Sequence, residues 1–369
     1  MCIRDSYYTD MIADRSVEFL ADSSRTGRPS FHYAAFTAPH WPLHAPADEI
    51  DRYRDLYKAG WTEIRRRRHE KQLKLGLLDP RWPLSARDER VPDWAAAPNH
   101  EWQAARMAVH AAMVTRLDRN VGRIVEQVRR NGQLDNTVFL FLSDNGASAE
   151  LLNQRRAGVW APPDSGPGGN IPGEMPGPAT TYQSFGPDWS HVSNTPFRRH
   201  KMSVHEGGIS TPLIAAWGDR LQPNTLHHGA GHVIDIMPTL AHLAGARYPS
   251  GKIPMEGRSL VPAMRGGPKQ ERPAMFWEHE GNRAIREGRW KLVAAHRGPW
   301  ELYDMESDRT ETADLAAAQP ARVDQLRKSY AAWMQRCGVE PWDAIRSGAS
   351  APRTAPPGSA PAAASTKGN

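Results

Sequence analysis

The chain has 369 residues, enough for one large core with a smaller unit beside it. Its apolar fraction is 39% and its mean hydropathy −0.64, and no apolar run approaches the ~20 residues a bilayer-spanning helix needs, which excludes that class. A formal charge of +6 is modest, two cysteines make no disulfide framework, and 31 prolines with 30 glycines predict many long loops.

In chain order, Tyr8 to Ala21 sets Ile12, Val17, Phe19 and Leu20 among charges and predicts an amphipathic helix. His32 to Phe36 reads as a strand ending in a proline-stiffened loop that carries His40 and His44. Arg65 to Arg68, with His69, Lys71 and Lys74, reads as a solvated helix face. The alternative, a nucleic-acid patch, lacks aromatic interleaving or a binding motif, so no nucleic-acid partner is expected. The clearest helix spans 101–130, where Met107, Met113 or Val114, Leu117, Val121, Ile124, Val125 and Val128 recur at three- and four-residue steps. Asn131-Gly132 is its stop signal.

That helix leads into Thr137 to Leu142, an apolar run without alternation, as in a strand covered on both faces. Asp144-Asn145-Gly146 follows. Open α/β sheets bind ligands beyond the carboxyl ends of their strands, and a carboxylate beside an amide oxygen there suits Ca²⁺ or Mg²⁺; alternatively the triplet only turns the chain. Residues 152–193 are too rich in Pro, Gly and Ser for a regular element. This long loop joins the Asp144 region to Lys201. Lys201, His205 and Glu206 stand just ahead of Gly207-Gly208, whose lack of a side chain permits close approach, and Pro212 to Trp217 reads as another buried strand. His232 to Ala244 is a helix with Val233, Ile236, Met237, Leu240 and Leu243 on its packing side and Pro238 bending it or closing its first turn. Beyond Pro268, strands at 274–278, 282–285, 290–294 and 301–303 predict a small antiparallel sheet. A helix at 321–336 should lie against it through Val323, Leu326, Tyr330, Trp333 and Met334. His279-Glu280 suits a surface turn, and His227 and His228 a loop. Ser347 to Asn369 is Ala-, Pro-, Ser- and Gly-rich and is expected to be disordered. No internal repeat is present.

Several of these segments together resemble the sulfatase family of the alkaline-phosphatase-like superfamily, especially its bacterial arylsulfatase branch. The matching pieces are A-P-H-W-P-L-H-A-P at 38–46, L-S-D-N-G-A at 142–147, N-T-P-F-R-R-H-K at 194–201 and H-E-G-G-I-S-T-P at 205–212. Weaker likeness continues through 235–240, 257–260, 288–292 and 301–304. The resemblance implies an α/β domain with a mostly parallel, helix-flanked sheet, here residues 1–267, and a small α+β subdomain at 268–345, followed by the 346–369 tail. It implies a hydrolase of small-molecule or carbohydrate sulfate esters, with phosphonate or phosphate ester hydrolysis, or a non-catalytic anion-binding remnant, as alternatives.

Residue by residue, the resemblance makes Asp144 and Asn145 ligands of a divalent cation, usually calcium rather than magnesium. His40 and Lys201 become the groups that meet the sulfate and the leaving oxygen. His205 and His44 either touch the substrate or support the groups that do, and Arg198 either meets the anion or forms a structural ion pair. Tyr182, Phe185 and Trp189 line the organic end of the ester or form an aromatic cluster of their own. A cation is most useful where negative charge develops in the transition state. The sequence also departs from the family. It has no Cys/Ser-x-Pro-Ser/Ala-Arg segment to supply a formylglycine nucleophile, no paired Asp-Asp near the start and no Gly-Lys-x-His segment. Likeness begins near Tyr7, so the expectation is a sulfatase shortened at its N-terminus and catalytically inactive. Compartment and oligomeric state stay open, although the family is often periplasmic or secreted.

Overall fold

A computed structural model describes residues 2–3, 6–269 and 271–348. The expected disorder of the tail beyond Gly348 lies outside those residues. A short antiparallel pair, β1 (Cys2–Ile3) and β2 (Ser6–Tyr7), precedes helix α1 (Tyr8–Ser24). The short α2 (Ala47–Asp51) and the arginine-rich α3 (Gly60–Lys74) follow, then α4 (His100–Arg130). Helix α4 is the spine. Its apolar repeat buries Met107, Val109, Met113, Leu117 and Val128, while Val114 points outward. Its flank packs against α1, where Arg116 bridges to Asp10 at 2.6 Å and the amide of Asn120 donates to the same carboxylate. Both helices appear where their periodicity predicts them.

Strand β3 (Phe139–Leu142) and helix α5 (Gly186–Ser193) precede a one-turn helix α6 (Glu206–Ile209) and strand β4 (Leu213–Ala216). The two strands pair antiparallel, Phe139 opposite Ala216 and Leu142 opposite Leu213. This corrects two expectations. The mostly parallel sheet appears among the described residues only as this antiparallel pair, and neither strand is covered on both faces. Phe141, Leu142, Leu213 and Ile214 are exposed, because each strand has a single strand neighbour among those residues. The run at 32–36 also forms no strand, since nothing pairs with it.

Helix α7 (Ile236–Leu243) starts after a 3₁₀ turn and holds Pro238 in its first turn, where a missing N–H costs nothing. Val233 and Met237, expected to pack, face outward instead. After the short α8 (Val261–Met264), strands β5 (Met275–His279), β6 (Asn282–Glu287), β7 (Trp290–Ala294) and β8 (Glu301–Asp304) form an antiparallel meander in sequence order. Helix α9 (Pro320–Cys337) covers one face, and α10 (Trp342–Arg346) closes the described chain. The predicted helix stripe meets Ile285, Leu292 and Leu302, with Leu326 fully buried and Phe276 stacked on Trp333 at 5.1 Å. Glu280-Gly281 makes the β5–β6 turn, both residues at positive φ. The opposite face of the sheet takes Val204 and Ile209 from the segment around α6. The small sheet is therefore bolted to the residues that follow Lys201.

Candidate functional site

His40 comes from the proline loop and Lys201 from a turn 161 positions later, yet the Lys201 Nζ lies 3.2 Å from His40 Nε2. The tautomer follows from the other ring nitrogen, 2.7 Å from the Trp41 carbonyl oxygen. That oxygen only accepts, so Nδ1 carries the hydrogen and Nε2 presents the lone pair that takes the lysine's proton. The ammonium uses one of its three donors there and keeps the others for a ligand.

The Asp144-Asn145 turn is stitched to the same segment through the backbone. The Lys201 N–H donates to Ala147 O at 3.1 Å and the Gly146 N–H to Gly208 O at 2.9 Å. Side chains cannot be tolerated at this crossing: a Cβ on Gly146 would sit 1.8 Å from Gly207 O, and one on Gly208 1.9 Å from Ser203 O. Asn194 fixes the turn further by accepting from the Ala147 N–H at 2.8 Å. Asp144 is exposed and Asn145 half-buried.

Their fit to calcium is limited. Among the described residues no group of three acidic, histidine or cysteine side chains converges as a metal cradle. Two donors from one turn leave most of the six to eight positions of Ca²⁺ unfilled. Among the described residues, Asp144 and Asn145 do not make a metal site by themselves.

Glu150 had no signal in the sequence. Its carboxylate accepts from the Trp41 indole at 2.7 Å and from Ser148 at 2.9 Å. Burial raises its pKa, but those two bonds and the nearby Lys201 ammonium outweigh that and leave it lowered. Glu150 thus holds Trp41 and, through it, the carbonyl that orients His40.

Of the two histidines expected either to touch the substrate or to support the groups that do, His205 is a supporting group and His44 lines a cavity. His205 is fully buried, with Nδ1 3.0 Å from Ser203 Oγ and Nε2 3.3 Å from Glu301 Oε2. It joins the Lys201 segment to β8 and has no open face for a ligand. Arg198 belongs to the same junction, donating to Glu301 at 3.1 Å and to the Tyr303 hydroxyl at 2.9 Å. Burial raises the Glu301 pKa, yet the bonds from His205 and Tyr303 bring it down to about 2. His44 is 4% exposed and bonds Thr181 O through Nε2 at 2.7 Å, and burial is the main cause that lowers its pKa to about 4. It sits in the wall of a cavity next to His40 as a neutral ring.

That cavity, about 190 Å³, is walled on one side by Arg155, Val159, Trp160, Ala179 and Tyr182 of the 152–193 stretch, whose last eight residues form helix α5 and so correct the expectation of no regular element there. Tyr182 lines it, whereas Phe185 and Trp189 pack in the main core against α4. The Ser190 hydroxyl, His200 and Asp88 make a line, 3.1 Å and then 3.0 Å, that resembles a nucleophilic triad. Ser190 is fully buried and donates to Ala147 O, so this line braces the turn and offers no nucleophile. Deeper still, Lys291 on β7 has no exposure and touches Glu206 and Glu311, each at 2.8 Å, which anchors α6 to the small sheet.

A helix-backed strand pair with Lys201 and His40 together at one rim, and a sheet-and-helix appendage, define a mixed α/β fold of the alkaline-phosphatase-like class. The sulfatase family model matches residues 2–246, and a model of the N-sulphoglucosamine sulphohydrolase C-terminal region matches 198–335. The chain belongs to the sulfatase family. It is 30% identical over 355 residues to an uncharacterized sulfatase of Schizosaccharomyces pombe, covering 91% of this chain and 63% of that protein. It is 29% identical over 246 residues to an arylsulfatase of Klebsiella aerogenes, covering 65% and 52% of the two chains. The solved structure of Ps i-CgsB in complex with k-i-k-neocarrahexaose superposes with a TM-score of 0.60 at 22% identity, over 90% of this chain and 56% of that one. The chain thus spans less than two thirds of the length of these relatives.

Proposed function

We propose that this rim binds the sulfate group and leaving oxygen of a sulfate monoester, the kind of ligand that sulfuric-ester hydrolysis of the arylsulfatase type acts on. The observation that carries the reading is the Lys201–His40 contact at 3.2 Å, closed across 161 residues. An ammonium with two unused donors suits the oxygens of a sulfate monoanion. In the family reaction a nucleophile's oxygen bonds to sulfur as the S–O bond to the leaving group breaks; negative charge collects on the departing oxygen, and a proton from Lys201, hydrogen-bonded to His40 Nε2, would neutralise it. The proline loop and the Trp41 carbonyl keep the imidazole aimed at that oxygen while Glu150 holds the loop.

A formylglycine supplies the attacking hydroxyl where the family carries one, and no Cys/Ser-x-Pro-x-Arg segment in this sequence fits that role. The chain is therefore expected to bind the anion and not to turn it over. Asp144 and Asn145 contribute two oxygen donors toward a calcium ion, which would need further ligands.

Titration of inorganic sulfate tests the site directly. Lys201→Ala removes a charge-assisted contact and should weaken binding by about 10- to 100-fold, equivalent to about 1.5–3 kcal/mol. Sulfate affinity unchanged in both Lys201→Ala and His40→Ala would remove the basis of this reading.

A further inference from the structure

The cavity beside His40 has walls of a distinct kind. Trp41 and Tyr182 meet edge to face, 6.0 Å apart, and Trp160, 53% exposed, stands at the mouth. The rest of the wall is His44, Arg155, Pro42 and small aliphatic side chains. No carboxylate, amide or hydroxyl other than the Tyr182 phenol lines it, so a sugar's hydroxyls would find few partners. At about 190 Å³ the space falls below the ~300 Å³ lower bound usual for drug-sized ligands and suits a single ring.

Two arginines stand at this space: Arg155 lines it, and Arg156 lies against its Trp41 wall. The Arg155 guanidinium lies 5.0 Å from the Tyr182 ring centroid and donates to Thr180 O at 2.9 Å. The Arg156 guanidinium lies 4.8 Å from the Trp41 ring. Among the described residues neither pairs with a carboxylate, although most arginines on this chain's helices do. Stacking on aromatic faces holds the guanidinium planes in place and leaves N–H donors free for an anion.

We propose that this cavity selects an aromatic sulfate ester bearing a second anionic substituent on its ring. The aromatic walls take the ring, and Arg155, with Arg156 at the rim, takes the substituent. The ester oxygen then points to His40 and Lys201. This rests on the sulfate-binding reading only for which end of the ligand faces Lys201; the ring pocket stands on its own residues.

The test uses ligands that separate the two. Phenol and 4-hydroxybenzoate carry the ring without sulfate, and 4-carboxyphenyl sulfate carries all three features. Titrated into the full chain, 4-hydroxybenzoate should bind at least tenfold tighter than phenol. Arg155→Gln should erase that advantage, and Trp160→Ala should weaken both ligands. Trp160 is exposed and Arg155 makes one backbone bond, so neither change threatens folding, and circular dichroism checks this. Equal affinity for phenol and 4-hydroxybenzoate, no binding of either, or indifference to both substitutions overturns the ring pocket. Adding the sulfate should tighten binding further in the wild type but not in Lys201→Ala. If 4-hydroxybenzoate behaves as expected while sulfate adds nothing, the pocket stands and the sulfate reading fails. Tighter binding of glucose 6-sulfate than of 4-carboxyphenyl sulfate would assign the cavity to a sugar and overturn the aromatic class.

Discussion

Replacing Lys291 by methionine probes how firmly the small sheet holds the site. The lysine is fully buried and contacts two carboxylates, Glu206 with 4% and Glu311 with no side-chain exposure. Methionine preserves most of the volume and removes the only ammonium in the cluster. Arg309 stays 3.2 Å from Glu206, and Glu311 still accepts from the Glu206 N–H at 2.9 Å, so the pair is not wholly abandoned. Removing one partner of a buried ion pair costs about 3–5 kcal/mol, a large share of the 5–15 kcal/mol that keeps a domain folded. Urea unfolding followed by circular dichroism at pH 7 measures it. The pH dependence supplies a second check. Burial raises the Glu206 pKa, but Lys291 and Arg309 outweigh it and hold it down to about 2. A depressed carboxylate stabilises above its unfolded pKa and loses that contribution as pH falls through the folded value. Without Lys291 the buried carboxylates gain stability by taking up a proton. The gap between wild type and variant should therefore be widest near neutrality and shrink toward pH 4. A loss under 1 kcal/mol at pH 7, or a gap constant with pH, refutes the argument.

Two further outcomes are expected. Burial is the leading cause that lowers His44 and His200 to about 4 and His191 to about 3. A histidine depressed below its unfolded value near 6.5 stays neutral in the fold, so stability should fall as pH drops from about 6.5 to about 4, by up to roughly 3 kcal/mol per ring; His44→Gln should flatten that slope in a pH series of thermal melts, and an unchanged slope counts against it. Calcium titrated by calorimetry should show no saturable site tighter than about millimolar, the weak end of protein calcium sites, because Asp144 and Asn145 offer too few oxygens; micromolar binding abolished by Asp144→Ala would show that other donors complete the shell.

Periodic features were legible in the sequence. The 31-residue α4 and the stripe of α9 appear as read, since both bury one face and repeat at helical spacing. The Lys201–His40 convergence followed from resemblance of the two segments, not from spacing, because contacts 161 residues apart leave no local pattern. Glu150 was invisible for the same reason: a lone glutamate in a polar loop carries no sign of the indole it will meet. His205 stays open between contact and support in the sequence because it neighbours Lys201, while the β8 carboxylate that claims its ring arrives from 96 residues away. The runs at 137–142 and 212–217 have the composition of enclosed strands, yet apolar composition reports a preference for cover and does not create it.

The junction at His205, Glu206 and Arg198 has a consequence for engineering. Arg198, His205 and the Glu206 N–H reach across to Glu301, Tyr303 and Glu311, while Lys291 and Arg309 reach back to the Glu206 carboxylate. The C-terminal sheet is consequently no exchangeable cassette. Grafting it from a cousin would require transplanting all of these partners at once, and a protease cut between the lobes would leave a severed seam of unmatched charges instead of two tidy halves.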